Sequence, residues 1–204
     1  MSLTLLHSAS AHCARFDAIR DRIAPGVSLT HEVRKAWLTA AQGGMSTALA
    51  EDIQAWVGAQ SHPVLCTCTT IGAVAEAAGA VRIDRPLMDA AAKIGGPYVL
   101  AFCLDSTRAA SEALLREAVG ADAEIHLLSL TKHWALFEKG DLSGFEAAMA
   151  ASINEAAPSE GCVVLAQASM AGAAELLQDL PAPVLSSPEL ALRAALDRLW
   201  STTP

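Results

Sequence analysis

The chain has 204 residues, 52% hydrophobic and 18% charged, with a formal net charge of −8. This composition supports a substantial buried core and excludes intrinsic disorder. The acidic balance and the 4% aromatic content argue against nucleic-acid binding and against an anionic membrane surface.

The opening Met-Ser-Leu-Thr-Leu-Leu lacks a basic flank and is too short for a secretion signal. It reads as a strand over Ser2–His7. A helix over Cys13–Ile23 follows, with Phe16, Ile19 and Ile23 on one face. Pro25-Gly26 ends it, and Val27–Val33 reads as the next strand. Ala36–Gly44 is ambiguous. A helix over Thr47–Val57 precedes a strand over Pro63–Cys68, a helix over Ile71–Ala78, a short strand over Ala80–Ile83 and a helix opening at Pro86. The second half repeats the rhythm: strand Tyr98–Cys103, helix Thr107–Val119, strand Glu124–Leu130. Ser143-Gly-Phe-Glu146 has the form of a capping box for a helix running to about Ala156. A strand over Cys162–Ala166 then leads into a helix reaching Gln178. Val184–Leu185 is a short strand before a last helix that buries Leu192, Ala195, Leu196 and Leu199. No apolar run approaches the roughly 18 residues that a membrane-spanning helix needs.

Alternating units of this length predict an α/β fold with mainly parallel sheets and right-handed crossovers. Two segments, Val64–Glu76 and Val163–Glu175, have the same strand–turn–helix pattern. Later, Ile83-Asp-Arg-Pro86 aligns with Leu185-Ser-Ser-Pro188. Chance likeness among alanine-rich helices is one explanation. Duplication explains both landmarks in the same order, and it predicts two similar lobes related by a pseudo-twofold axis. The expected lobes are 1–95 and 96–204, with the last helix free to pack back on the first. Their strand ends would then border a shared cleft, where α/β sheets bind ligands.

Five cysteines, an odd number at irregular spacing, make a poor disulfide framework and fit a reducing, cytoplasmic compartment. Cys66-Thr-Cys68 with His62 falls short of the four convergent ligands of a structural zinc site, so no metal is expected from it. Cys66 reads as an inert core thiol. Cys68 meets Thr69 and Thr70 at a helix start, where threonine caps and free N–H groups hold anions. A helix dipole there favours thiolate, the reactive form of cysteine. The alternative role for Cys68 is a small buried residue at a turn. Ser106 and Thr107, and later Ser169, end strands of the second half. Each serves as a helix cap or, together, as part of a cradle for a carboxylate. His7 and Ser8 end the first strand and either line the same cleft or are structural. Lys132 and His133 read as surface residues. The chain contains no P-loop, G-x-G-x-x-G turn or G-x-S-x-G elbow.

The chain resembles the aspartate/glutamate racemase superfamily, which includes hydantoin racemases, maleate isomerase and arylmalonate decarboxylase. The resemblance rests on Leu5-Leu6-His7-Ser8, Thr67-Cys68-Thr69-Thr70-Ile71-Gly72, Val81-Arg-Ile-Asp-Arg-Pro86, Cys103-Leu-Asp-Ser-Thr107 and Val164-Leu-Ala-Gln-Ala-Ser-Met170. It implies cofactor-independent chemistry on a small carboxylate or amino acid, and a homodimer. In the family's racemases two cysteines face each other, one removing the α-proton and one returning it. Cys68 resembles the first, while the second position falls on Gln167, which cannot exchange a proton as a thiol does. The family's decarboxylase also uses one cysteine, but at the second position. The implied roles are Cys68 as base, with Thr69, Thr70, Ser106, Thr107, Ser169 and Gln167 binding substrate. The readings are a racemase or isomerase, a lyase, or a carboxylate-binding protein that has lost catalysis.

Overall fold

The computed structural model describes residues Met1–Ser201. These form two compact units. One comprises Met1–Pro86 with the chain from Pro188 on, and the other Leu87–Ser187, so the boundary falls in the first turn of a helix. The last helix thus belongs to the first unit.

The first unit contains β1 (Ser2–His7), α1 (Ala11–Ile23), β2 (Ser28–Val33), α2 (Lys35–Ala41), α3 (Thr47–Gly58), β3 (Val64–Cys66), α4 (Thr69–Ala77) and β4 (Val81–Arg82). All strand pairs are parallel, in the order β2-β1-β3-β4. Helix α5 (Arg85–Ile94) leads into the second unit. There β5 (Tyr98–Phe102), α6 (Asp105–Val119), β6 (Ile125–Ser129), α7 (Trp134–Glu138), α8 (Leu142–Ala156), β7 (Cys162–Leu165), α9 (Ala171–Glu175) and β8 (Val184–Ser186) follow. Its sheet has the order β6-β5-β7-β8, again wholly parallel. Helix α10 (Ser187–Ser201) ends the described chain.

The two sheets therefore repeat one topology. Prolines 86 and 188 each occupy the second position of the helix that follows the fourth strand. The closing bonds of the central strands match as well. Thr67 N–H donates to Leu6 C=O at 2.9 Å, and Ala166 N–H donates to Ala101 C=O at 2.9 Å.

The central strands are continuous apolar runs because a parallel sheet is covered on both faces. Leu3, Leu5, Leu6 and Leu65 are fully buried in the first unit, as are Leu100, Val163, Val164 and Leu165 in the second. Each such side chain contributes roughly 1.5–3 kcal/mol by leaving water. Edge strand β2 instead has no buried residue. Of the expected α1 face, Phe16 is fully buried and Ile19 and Ile23 are half-buried, while all four residues named for α10 are buried. Gly72 of α4 allows the helix to lie against Arg82, whose Cγ would stand 3.1 Å from an added Cβ.

Some local expectations change. Ala36–Gly44 resolves into α2 and a turn. Helix α8 opens at Leu142, capped by Asp141, whose Oδ1 accepts from Gly144 N–H at 3.0 Å. Ser143 is therefore not the cap. An added Cβ at position 144 would press on that carboxylate, the end of a rotatable side chain, which would have to turn aside. Helix α4 begins at Thr69 with Cys68 itself at the N-cap, two residues before the expected start. The helix expected after β7 is instead a 3-10 turn over Ala168–Met170 followed by the short α9, ending well before Gln178. Among the described residues no helix is long and apolar enough to cross a membrane, and all five cysteines are free.

Candidate functional site

In the order β2-β1-β3-β4, the chain leaves β1 toward one side and enters β3 on the other. The carboxyl ends of β1 and β3 therefore flank a topological switch point, as do those of β5 and β7. The sequence places His7-Ser8 and Thr67-Cys68 at the first, and Cys103-Leu104 and Ala166-Gln167 at the second.

Cys68 is buried, with extended backbone (φ −117°, ψ 114°) that turns directly into α4. Thr69 beside it is buried and Thr70 half-buried. Cys66 lies on the core side, fully buried, with Sγ 3.6 Å from the Cys68 carbonyl. Burial pushes its thiol far up, reinforced by the neighbouring Cys68, so it is an inert protonated group.

His7 is fully buried and both of its ring nitrogens are engaged inside this lobe. Nδ1 lies 2.8 Å from Thr67 Oγ1 and Nε2 lies 2.8 Å from His31 Nδ1. Thr67 Oγ1 donates its own proton to Leu6 C=O (3.1 Å), so it accepts from His7 Nδ1–H. His31 Nε2 in turn faces Asp17 Oδ1 at 3.3 Å. The line Asp17–His31–His7–Thr67 ends one residue before Cys68. Burial, then the neighbouring His12 and His31, hold the His7 ring down to about 3, so it is neutral. Burial likewise holds His12 down to about 4. Ser8 is buried nearby in sequence. His31 and Asp17 were not among the site residues read from sequence. The available signal was a histidine in a polar edge strand, which composition alone does not distinguish from a solvated one.

In the second lobe Gln167 occupies the station of Cys68. It too is an extended N-cap (φ −128°, ψ 142°), two residues past the end of its strand. Its Oε1 accepts from Cys103 N–H at 2.7 Å and Leu104 N–H at 3.0 Å, with Thr107 Oγ1 at 3.3 Å. Two backbone donors on one atom identify that atom as the amide oxygen. Gln167 thus fills the backbone N–H cradle of its own lobe. Thr107 is buried and its hydroxyl donates to Leu104 C=O at 2.7 Å, while Ser106 is exposed on the first turn of α6. Ser169 is buried, and its Oγ has no hydrogen-bond partner. A buried hydroxyl left unpaired costs about 1–3 kcal/mol, which a bound ligand or water would recover. Lys132 and His133 lie in a 3-10 turn, where His133 Nε2 meets Ser152 Oγ at 3.0 Å.

No family model matches the sequence, and no curated protein matches it. Solved structures do. Glutamate racemase from Francisella tularensis, determined with D-glutamate, superposes with a TM-score of 0.74 at 12% identity, covering 100% of this chain and 84% of that one. Allantoin racemase from Klebsiella pneumoniae gives 0.62 at 15% identity, covering 98% and 88%. A glycine-to-cysteine variant of arylmalonate decarboxylase with associated sulfate gives 0.59 at 14% identity, covering 100% and 95%. These structures all come from the aspartate/glutamate/hydantoin racemase superfamily, and the fold of this chain is the fold of that superfamily.

Proposed function

We propose that the chain is a cofactor-independent enzyme that moves the α-proton of a small carboxylic or amino acid, with Cys68 as the base. The observation that carries this reading is the matched pair of N-caps: a thiol at one switch point and an amide at the other. A helix N-terminus offers N–H groups with no partner in the helix, suited to a carboxylate. In this reading the substrate's α-proton passes to the Cys68 sulfur and the electron pair moves into the carboxylate as an enediolate. Donors already in place stabilise that charge without reorganising. Thr70 and the start of α4 supply such donors beside Cys68. In its own lobe Gln167 turns its oxygen to the Cys103 and Leu104 N–H groups. The proton then returns from sulfur to carbon.

A side-chain amide has no proton to give, so Gln167, at the position that matches Cys68, offers no second acid. The reaction is accordingly exchange or one-face protonation, with inversion slow. A lyase reading follows from the same single thiol: loss of carbon dioxide from a substrate with two carboxylates on one carbon leaves an enediolate on the second, and the Cys68 thiol gives it one proton. The reading places the enzyme in the cytoplasm, in keeping with five free cysteines, and as a homodimer, in keeping with the family resemblance.

Incubating α-amino and 2-substituted dicarboxylic acids in heavy water tests the proposal. Deuterium entering the α-position faster than optical rotation is lost supports it. Release of carbon dioxide identifies the lyase. Binding without exchange or release of carbon dioxide identifies a lapsed carboxylate-binding protein.

A further inference from the structure

We propose that His7 Nε2, His31 Nδ1 and Cys13 Sγ bind one divalent ion of the zinc type, with Asp17 and Thr67 orienting the two imidazoles. This goes beyond the proton-transfer reading, since none of the three ligands is Cys68 and the test needs no substrate. One ligand atom from each of His7, Cys13 and His31 lies within 4.8 Å of the other two. They come from the end of β1, the middle of β2 and the first turn of α1, so an ion would join three separate elements.

Hydrogen-bond accounting supports a cation here. Thr67 fixes the His7 proton on Nδ1, which leaves Nε2 as a lone pair aimed at His31. The close His7 Nε2–His31 Nδ1 contact therefore holds one proton between two ring nitrogens, while His31 Nε2 faces the Asp17 carboxylate, whose Oδ1 Arg20 also reaches at 3.2 Å. An ion between the two nitrogens takes the place of that proton and uses both lone pairs. His31 Nε2–H is then directed to Asp17.

Both ligating rings then carry the outer-shell partner that metal-bound histidines use to fix their tautomer: a carboxylate on one, a hydroxyl on the other. Zinc–nitrogen bonds of about 2.0–2.1 Å set two tetrahedral nitrogens about 3.3 Å apart. The observed 2.8 Å therefore has to open by about half an ångström. Cys13 and His31 are half-buried, which gives the ion a route from solvent, and three protein ligands leave a fourth position for water. Binding displaces the proton from between the imidazoles and releases the one on the Cys13 thiol.

The test titrates the metal-stripped full chain with zinc against a chromophoric chelator, and with cobalt(II) as a spectroscopic probe. The expected result is one equivalent bound, with a thiolate-to-cobalt charge-transfer band in the near ultraviolet. The band should vanish in Cys13→Ser, and affinity should fall at least tenfold in His31→Gln. Asp17→Asn should weaken binding about 10–100-fold, as outer-shell partners do. Cys68→Ser should leave stoichiometry and band intact. Absence of stoichiometric binding, or binding that survives Cys13→Ser and His31→Gln but is lost in Cys68→Ser, would overturn the assignment. Cys13 and Asp17 are not fully buried, and circular dichroism of each variant checks that it folds.

Discussion

Gln167 Oε1 lies 2.7 Å from the Cys103 nitrogen and 3.0 Å from the Leu104 nitrogen, so a side chain of the second lobe closes off the two backbone N–H groups that follow β5. Its oxygen absorbs two backbone donors, so the amide is fixed in one orientation.

Replacing Gln167 by Ala strands those two N–H groups and should lower stability by about 1–3 kcal/mol for each one that water cannot reach. Gln167→Glu keeps the acceptor, so it should restore stability while abolishing carboxylate binding by repulsion. Urea unfolding of both variants, with ligand titration of Gln167→Glu, checks the two roles separately. Gln167→Cys clears the cradle and supplies a second thiol, so racemisation should rise toward the rate of deuterium exchange.

General bases contribute typically 10²–10⁴-fold. Deuterium exchange should fall by about that factor in Cys68→Ala and should persist in Cys66→Ala, because the fully buried Cys66 stays protonated. Mass spectrometry of a substrate that exchanges with the unaltered protein provides the measurement. Equal losses in the two variants would mean that the effect comes from core packing.

His7 and His12 are neutral in the folded protein, held down to about 3 and about 4 by burial. In the unfolded chain both titrate near 6.5. Below that pH the unfolded state binds protons that the folded state refuses, so this stabilisation is complete above about 6.5 and is lost as pH falls toward 4 and then 3. The combined slope approaches about 2.7 kcal/mol per pH unit for two protons. Denaturant midpoints measured from pH 7 to pH 4 should fall accordingly, and the fall should be shallower in His12→Gln. A midpoint unchanged over that range would contradict the assignment of both rings as neutral.

Arg82 and Asp84 form a buried bidentate pair, with Asp84 wholly inaccessible. Removing one partner of such a pair costs about 3–5 kcal/mol. Arg82→Met should therefore be strongly destabilised, while Arg82→Met with Asp84→Leu should recover much of the loss. A thermal unfolding cycle over the single and double variants measures that coupling.

The strand–helix alternation was legible because each central strand is an apolar run bracketed by turn residues, and because Cys68/Gln167 and Pro86/Pro188 mark the same stations in both halves. Local starts were harder to read. Asp141 rather than Ser143 caps α8 because its carboxylate reaches the Gly144 N–H, and a reach of that kind is a three-dimensional fact. The engagement of Gln167 was hidden for a related reason: its partners are backbone N–H groups about 60 residues away, and backbone carries no signature in sequence. The His7–His31 contact was hidden because residues on neighbouring parallel strands meet only once the register Leu5↔His31 is set.

The first lobe holds the earliest and the latest elements of the described chain, since α10 joins Met1–Pro86 and Arg22 of α1 pairs with Glu189 at 2.7 Å. During synthesis from the N-terminus, its sheet emerges first but the unit lacks α10 until the whole second lobe has been made. Leu87–Ser187, by contrast, is continuous and needs nothing from outside its own span to form its sheet. The lobe that begins first is thus completed last, and the Arg22–Glu189 pair can form only then.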